Sequence, residues 1–326
     1  MTELLVLDRA RVAELLEVEP LFEALEQAFR TFSAGGSSVP PRVAASTPKG
    51  LLGAMPGYLE GVGLASKLVS VFPENEGGDR PSHQGLIVLF DEENGTPLAV
   101  MDGIRITALR TAASAAVAAR LLARDDAAVL AVLGAGVQGH AHLETVPRVR
   151  RFAEIRIASR TADHARALGA RAPDLVAGAD GGEPVIRVCE SFEDAVRGAD
   201  VVCCCTDARE PVVEFGWLSP GTHIGSVGGA FGRELDGATI DGGKLFVEWR
   251  GAVTSAPPAG AGELQGVDPD RVAELGEVLA GLRQGRESRD EITVYKSTGH
   301  AIEDIAAARL VYDRALRHGE GRSVPI

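Results

Sequence analysis

Residues 127–139 read AAVLAVLGAGVQG, an apolar run that passes directly into Gly134-Ala135-Gly136-Val137-Gln138-Gly139. The string G-x-G-x-x-G is weak by itself. Here it follows a strand-like segment and opens a helix, which reads as beginning after Gly139. The first glycine makes a tight turn, the second lets backbone approach a pyrophosphate, and the third allows helix to pack closely on strand. Unpaired N–H groups at the helix start then favour negative charge. Gly134, Gly136, Val137, Gln138 and Gly139 are therefore candidate contacts of a dinucleotide. The competing reading is a glycine-rich turn that binds nothing.

The chain beyond repeats the unit. EIRIASR, a helix from Thr161, VIRVC, a helix over 191–197 and DVVCCCT alternate strand with helix, and strand-like HIGSVG and LFVEW follow. Such βαβ repetition implies a parallel sheet. The second strand ends in Ile157-Ala158-Ser159-Arg160-Thr161. An NAD site usually carries an acid there, about 20 residues past the glycines, to hold the ribose 2′-hydroxyl. Ser159, Arg160 and Thr161 instead offer two hydroxyls and a guanidinium, which suit a 2′-phosphate. NADP(H) is the favoured cofactor, with NAD(H) as the alternative. Asp163, the nearest acid, can blunt that preference.

The first hundred residues follow a different pattern. Residues 9–32 read as two short helices, the first capped by Asp8 and the second with Pro20 near its start. Extended segments follow at Arg42–Ser46, Leu51–Leu59 and Leu64–Phe72. Gly85–Asp91 and Pro97–Met101 flank the turn Glu93-Asn94-Gly95. An antiparallel sheet with helices at one end is expected. Residues 105–123, Ala-rich and without Gly or Pro, form a helix. The last helix, about Ala301 to Arg317, lies beyond the parallel-sheet pattern and returns to the first domain. The fold class is thus α/β: a Rossmann-type parallel-sheet domain over 123–299, plus a discontinuous α+β domain made of 1–122 and 300–326.

The 326 residues allow two domains and a sizeable core. The net charge is −13 with no basic tract, so no nucleic-acid partner is expected, and any anion site must be a local cluster of Arg and Lys. No run approaches the ~18 apolar residues of a membrane span. The opening MTELLVLDRARVAELLEVEP has acids in its apolar stretch and no basic lead-in, unlike a signal peptide. A cytoplasmic protein is expected. Cys189 and the consecutive Cys203, Cys204 and Cys205 read as small buried hydrophobes in a reducing compartment, and no metal site is expected.

Three cations fall among apolar or small residues. Arg42 follows two prolines, Lys67 sits inside the strand GLASKLVSVF, and Arg110 lies in ALRTAAS. A lysine flanked at period two by Ala65 and Val69 is partly desolvated, has a depressed pKa and can pass protons. Arginines near it can hold a carboxylate in bidentate fashion. From spacing alone, the three read equally well as separate surface cations. His83 and Gln84 precede the hairpin and either join them or brace a turn.

LASKLVSVFPEN, SHQGLIVLFDEENGTPLAVMDG, TALRTAASAAVAARLLA, VLGAGVQGHAHLE, PVVEFGWLSPGTHIGSVG and YKSTGHAIEDIAAARLVYDRA, in that order, resemble the ornithine cyclodeaminase/mu-crystallin family along nearly the whole chain. The resemblance implies a homodimer whose first domain, joined by the C-terminal helix, binds substrate and forms the dimer contact. It implies that Arg42, Lys67 and Arg110 face the substrate carboxylate and the nicotinamide, with Lys67 catalytic. It places Ser82, Arg110, Thr111, Thr206, Ser226, Val227 and Ser297 near the cofactor. One departure stands out. In the family's cyclodeaminases and alanine dehydrogenases an aspartate follows the segment matching GTHIGSVGG. Here that place is Ala230, and GGAFGRELD is about two residues short. The reductase branch also lacks that aspartate. The expected function is NAD(P)H-dependent reduction of a carboxylate-bearing imine, a cyclic ketimine or α-imino acid, to the amino acid. The alternatives are a cyclodeaminase-type or alanine dehydrogenase-type enzyme and a catalytically inert NADP-binding protein.

Overall fold

The structure is a computed structural model that describes residues 3–75, 78–178, 182–229 and 232–326. It divides into two compact units. One runs to Arg110 and resumes from His300 to Ile326; the other is Thr111–Gly299. The division falls inside a helix, earlier than the residue 122 read from the sequence.

The first unit contains β1 (Glu3–Leu7), α1 (Arg9–Leu15), α2 (Val18–Ser33), β2 (Ser37–Ser38), β3 (Val43–Thr47), β4 (Gly50–Leu59), β5 (Gly63–Val71), β6 (His83–Phe90), β7 (Pro97–Asp102) and the start of α3 (Gly103–Leu122). Asp8 caps α1, accepting from Arg11 N at 2.9 Å. Among the described residues the sheet runs C-terminal strand (Arg322–Pro325), β1, β7, β6, β5, β4, β2, with β3 also on β4. The four strands β4 to β7 form antiparallel neighbours, but β1 joins β7 in parallel. This corrects the expectation of a wholly antiparallel sheet. ELLVL merges by composition into the helix that follows it. Its strand conformation comes from pairing with β7 on one side and the C-terminal strand on the other, a tertiary cause rather than a propensity.

Alternation along these strands makes two unlike faces. Met55, Leu59, Ala65, Ile87, Leu89, Ala99 and Met101 are buried, the C-terminal helix Ala301–His318 packs on β4 and β5, and α2 packs chiefly on that helix. One residue out of step, Val6, Leu64 and Leu86 are 37%, 37% and 49% exposed, and Leu52 and Val43 reach 52% and 63%.

The second unit is a doubly wound sheet. In chain order it holds the remainder of α3, β8 (Val129–Leu133), α4 (Val137–Thr145), β9 (Glu154–Ala158), α5 (Ala162–Val176), β10 (Val185–Val188), α6 (Phe192–Val196), β11 (Val201–Cys204), β12 (His223–Ser226), α7 (Gly237–Gly242), β13 (Lys244–Val247), α8 (Gly251–Thr254), β14 (Val272–Glu274), α9 (Leu275–Leu279) and β15 (Thr293–Lys296). The strand order is β10-β9-β8-β11-β12-β15-β13-β14, every pair parallel. The order reverses between β8 and β11, the switch point at which such sheets bind ligands beyond their carboxyl ends. Central strands covered on both faces read as unbroken apolar runs, which is why VLAVL and VVCC were legible. Cys203, Cys204 and Cys205 are buried and free, and burial pushes the Cys203 thiol up to about 12. No helix among the described residues is long and apolar enough to cross a membrane.

Candidate active site

Lys67 lies in the middle of β5, in register with Met55 of β4 and Ile87 of β6, and is buried. Its Nζ is 2.8 Å from Asp304 Oδ2. Asp304 Oδ1 accepts from Arg110 Nε at 2.9 Å. Glu303 Oε2 accepts from Arg110 Nη1 at 2.6 Å and from His300 N at 2.9 Å. Two acids in the first turn of the C-terminal helix, where the helix dipole favours carboxylates, therefore hold a lysine from the sheet and an arginine from α3.

Burial drives the Lys67 ammonium down to about 8; Asp304 opposes the fall, while Arg110 and Arg42 add to it. Burial would raise the Asp304 carboxyl, yet Arg110 and Lys67 together hold it below its ordinary 3.8. The pair is therefore more favourable to the carboxylate than to the ammonium. Asp304 has two cations beside it, whereas Lys67 has one acid, shared with Arg110, and two like charges. Burial and the Arg42 charge push His300 down to about 3, leaving a neutral imidazole edge-on to Phe32 at 4.8 Å between ring centroids. Arg42, just before β3, acts on both Lys67 and His300. The first unit thus brings Arg42, Lys67 and Arg110 into one electrostatic cluster. Ser82, half-buried, keeps its Oγ 3.1 Å from His83 Nδ1, and His83 and Gln84 are exposed at the start of β6.

In the second unit the first and third glycines of the string have a steric reason within the chain. Gly134 has φ +108°, and a Cβ there would lie 2.5 Å from the Cys205 carbonyl oxygen. A Cβ on Gly139 would lie 2.2 Å from the Gly134 carbonyl oxygen. Gly136 faces open space. It is also the N-cap of α4, which begins at Val137 and not after Gly139 as read from the sequence. The correction matters, because the unpaired amides of the first turn then fall within the glycine string. Val137, 66% exposed, leaves an apolar contact uncovered beside them. Open space at Gly136, a helix start and an exposed Val137 fit a dinucleotide pyrophosphate. Gln138 is half-buried in the same turn. At the end of β9, Ser159 is half-buried and Arg160 and Thr161 are exposed. Asp163 is engaged by Arg166 one helical turn on.

Thr206, Ser226, Val227 and Ser297 all lie at the carboxyl ends of β11, β12 and β15. Thr206 and Ser226 donate from Oγ1 and Oγ to Glu234, at 2.6 and 2.7 Å. Val227 N donates to Cys204 O at 3.1 Å and Ser297 N to Ser226 O at 2.9 Å. Thr111 is buried in α3. Ala230, the position of the missing aspartate, lies outside the described residues.

Sequence reasoning missed Glu303 and Asp304, and in the second unit Glu234, Glu263 and Lys296. In the sequence the first two show only as paired acids opening an apolar helix in HAIEDIAAA, a pattern common at helix starts. Lys296 Nζ is 2.9 Å from Glu263 Oε1, and all three side chains of the second group are buried. Their partners come from loops whose geometry no periodicity encodes.

The model of the ornithine cyclodeaminase/mu-crystallin family matches residues 2–319. Ketimine reductase mu-crystallin of Mus musculus is 38% identical over 313 residues, 94% of each chain. The structure of Thermococcus litoralis Delta(1)-pyrroline-2-carboxylate reductase in complex with NADH and L-proline superposes with TM-score 0.90 at 36% identity, covering 98% of this chain and 100% of that one. An archaeal alanine dehydrogenase dimer with bound NAD gives TM-score 0.89 at 33% identity, covering 100% of both chains.

Proposed function

The chain belongs to the ornithine cyclodeaminase/mu-crystallin family, and from that premise we propose that it is an NAD(P)H-dependent reductase turning a carboxylate-bearing imine, a cyclic ketimine or an α-imino acid, into the amino acid. The observation that carries this reading is the buried Lys67 ammonium, brought down to about 8 among Arg42, Arg110 and Asp304. A bound nicotinamide supplies the hydride that reaches the imine carbon. The chain's own residues supply the rest. Arg42 and Arg110 orient the substrate carboxylate, and orientation accounts for much of an enzyme's acceleration. Lys67, protonated at neutral pH and close to losing its proton, gives a proton to the imine nitrogen directly or through one water. Asp304 holds Lys67 and Arg110 at fixed spacing. Hydride on carbon and proton on nitrogen complete the amine.

Ser159, Arg160 and Thr161, with Asp163 engaged elsewhere, support a preference for NADPH over NADH. Val6, Val43, Leu52, Leu64 and Leu86 lie exposed on one face of the sheet, and contiguous exposed apolar side chains mark interaction sites. We assign this face to a second copy of the chain, in line with the dimeric alanine dehydrogenase relative. Four free, buried cysteines support a reducing compartment such as the cytoplasm. The same relative favours a second reading, hydride transfer run oxidatively on an amino acid such as alanine.

The deciding experiment incubates pure protein with Delta(1)-pyrroline-2-carboxylate and NADPH or NADH and follows cofactor loss and proline formation. Parallel arms hold L-alanine with NAD, and ornithine with NAD. Proline from the imine is the expected result. Pyruvate from alanine alone would favour the oxidative reading, proline and ammonia from ornithine the cyclodeaminase, and silence in all arms an inert binder.

A further inference from the structure

The second unit buries a group that the reaction as described does not use. Glu234 has no solvent exposure and lies between the loops that leave β11 and β12. Its Oε1 accepts from Thr206 N at 2.7 Å and Thr206 Oγ1 at 2.6 Å. Its Oε2 accepts from Ser226 Oγ at 2.7 Å and Gly228 N at 2.8 Å. One oxygen thus grips the end of β11 and the other the end of β12. The two loops touch, for a Cβ on Gly228 would lie 1.7 Å from the Thr206 carbonyl oxygen.

A second layer keeps this carboxylate in place. Glu263 Oε2 accepts from the backbone N of Glu234 at 2.8 Å and of Leu235 at 3.2 Å. Lys296 Nζ donates to Ser226 Oγ at 2.9 Å and to Gly228 O at 2.6 Å, and pairs with Glu263 Oε1 at 2.9 Å. Lys296 remains protonated against its burial because Glu263 and Glu234 raise its pKa above the ordinary value. Buried charges cost much unless every oxygen and proton is engaged. Here the engaged groups are backbone atoms and hydroxyls of two strand ends, not core packing.

Those strand ends have a defined place in a doubly wound sheet. β8 to β10 make one mononucleotide half, and the second half begins with β11 and β12 beyond the switch point. The glycine string serves the pyrophosphate and the end of β9 the adenosine side. The ends of β11 and β12 are left for the nicotinamide ribose and ring. We infer that Glu234 is a positioning residue for the nicotinamide end of the cofactor, setting the spacing of the Thr206 and Gly228 loops on which that end lies. It makes no contact with substrate and transfers no proton. The inference rests on the dinucleotide-dependent function proposed above.

The test is Glu234→Gln in the full chain, beside wild type and Glu234→Asp. Four donors converge on Glu234, and a glutamine accepts through one oxygen only, so one strand end is released. Affinities for NADPH and for 2′-phospho-ADP, which lacks both the nicotinamide ring and its ribose, are measured by protein fluorescence, with thermal unfolding recorded alongside. The Gln variant should bind NADPH about tenfold more weakly, the loss expected for such a contact, and bind the ring-less fragment within about twofold of wild type. Glu234→Asp, which keeps both oxygens, should recover part of the NADPH affinity. Hydride transfer to either face of the ring should also become less selective in the Gln variant. Equal loss for NADPH and the fragment, or no loss for either with a folded protein, overturns the inference. If Gln does not fold, the Asp variant decides: equal NADPH and fragment losses overturn it, a ring-dependent loss sustains it. Wild type that binds neither ligand would instead strike at the dinucleotide reading itself.

Discussion

Replacing Lys67 by methionine separates chemistry from stability, because the two are expected to move in opposite directions. The side chain keeps its volume and loses its charge and proton. If Lys67 is the general acid, kcat falls roughly a hundred- to ten-thousand-fold, while cofactor affinity, which draws on the second unit, stays near wild type. The wild-type rate should decline as pH rises through about 8, where the ammonium loses its proton. The variant's residual rate should lack that limb. Stability is the less intuitive part. Lys67 forms a 2.8 Å ion pair, and losing a buried pair usually destabilises. Yet the fall from an ordinary 10.5 to about 8 means that burial, with the repulsion of Arg110 and Arg42, outweighs the attraction of Asp304, by about 3 kcal/mol at ~1.4 per tenfold. Asp304, left behind, keeps Arg110, the stronger of its two cations. The Met variant should therefore be between equal in stability and about 3 kcal/mol more stable at pH 7. The folded value lies below the unfolded one, so the cost of the charge is full below about 8 and vanishes as pH climbs toward 10.5. Denaturant unfolding of both proteins across that range should show the gap closing. Near-native turnover, or a variant several kcal/mol less stable at pH 7, would refute the reasoning.

Arg160→Ala should raise the NADPH Michaelis constant about tenfold or more, the worth of a charge-assisted contact, and leave that for NADH nearly unchanged. Equal effects, or a wild type that prefers NADH, would remove the 2′-phosphate role. Leu86→Glu places a charge on the exposed sheet face at a position 49% exposed in the single chain. It should convert dimer to monomer in light scattering without lowering solubility, and an unchanged mass would put the interface elsewhere.

The legible and illegible parts of this molecule differ in a physical way. Central strands of the second unit are covered on both faces, so composition alone marked β8, β9, β11 and β12. The strand β15 was not read, although Thr293 to Lys296 are buried; its last residue is a lysine, and a charge at full burial breaks the apolar signature. β1 and the C-terminal strand are made by each other and by β7. Of the cluster in the first unit, the cations were legible because a charge inside an apolar run stands out. Asp304 and Glu303 were not, because acids in a first helical turn are so common there that they carry no mark of what they hold. Glu234, within GRELD, looks like any loop acid until its four donors are seen.

The ion cluster joins distant stretches of chain: Arg110 and Asp304 are 194 residues apart in sequence. All of Thr111–Gly299, a continuous segment, lies between them. During synthesis the dinucleotide unit emerges whole and can fold as domains generally do, in order of appearance. The sheet with Lys67 has by then left the ribosome but lacks its covering helix and both counter-charges. Until residues from His300 onward arrive, a lysine and an arginine meant for burial stay hydrated, and that apolar face stays open. On the function proposed above, the unit proposed to carry the glycine string's cofactor contacts is therefore complete in the nascent protein before the residues proposed to hold substrate are.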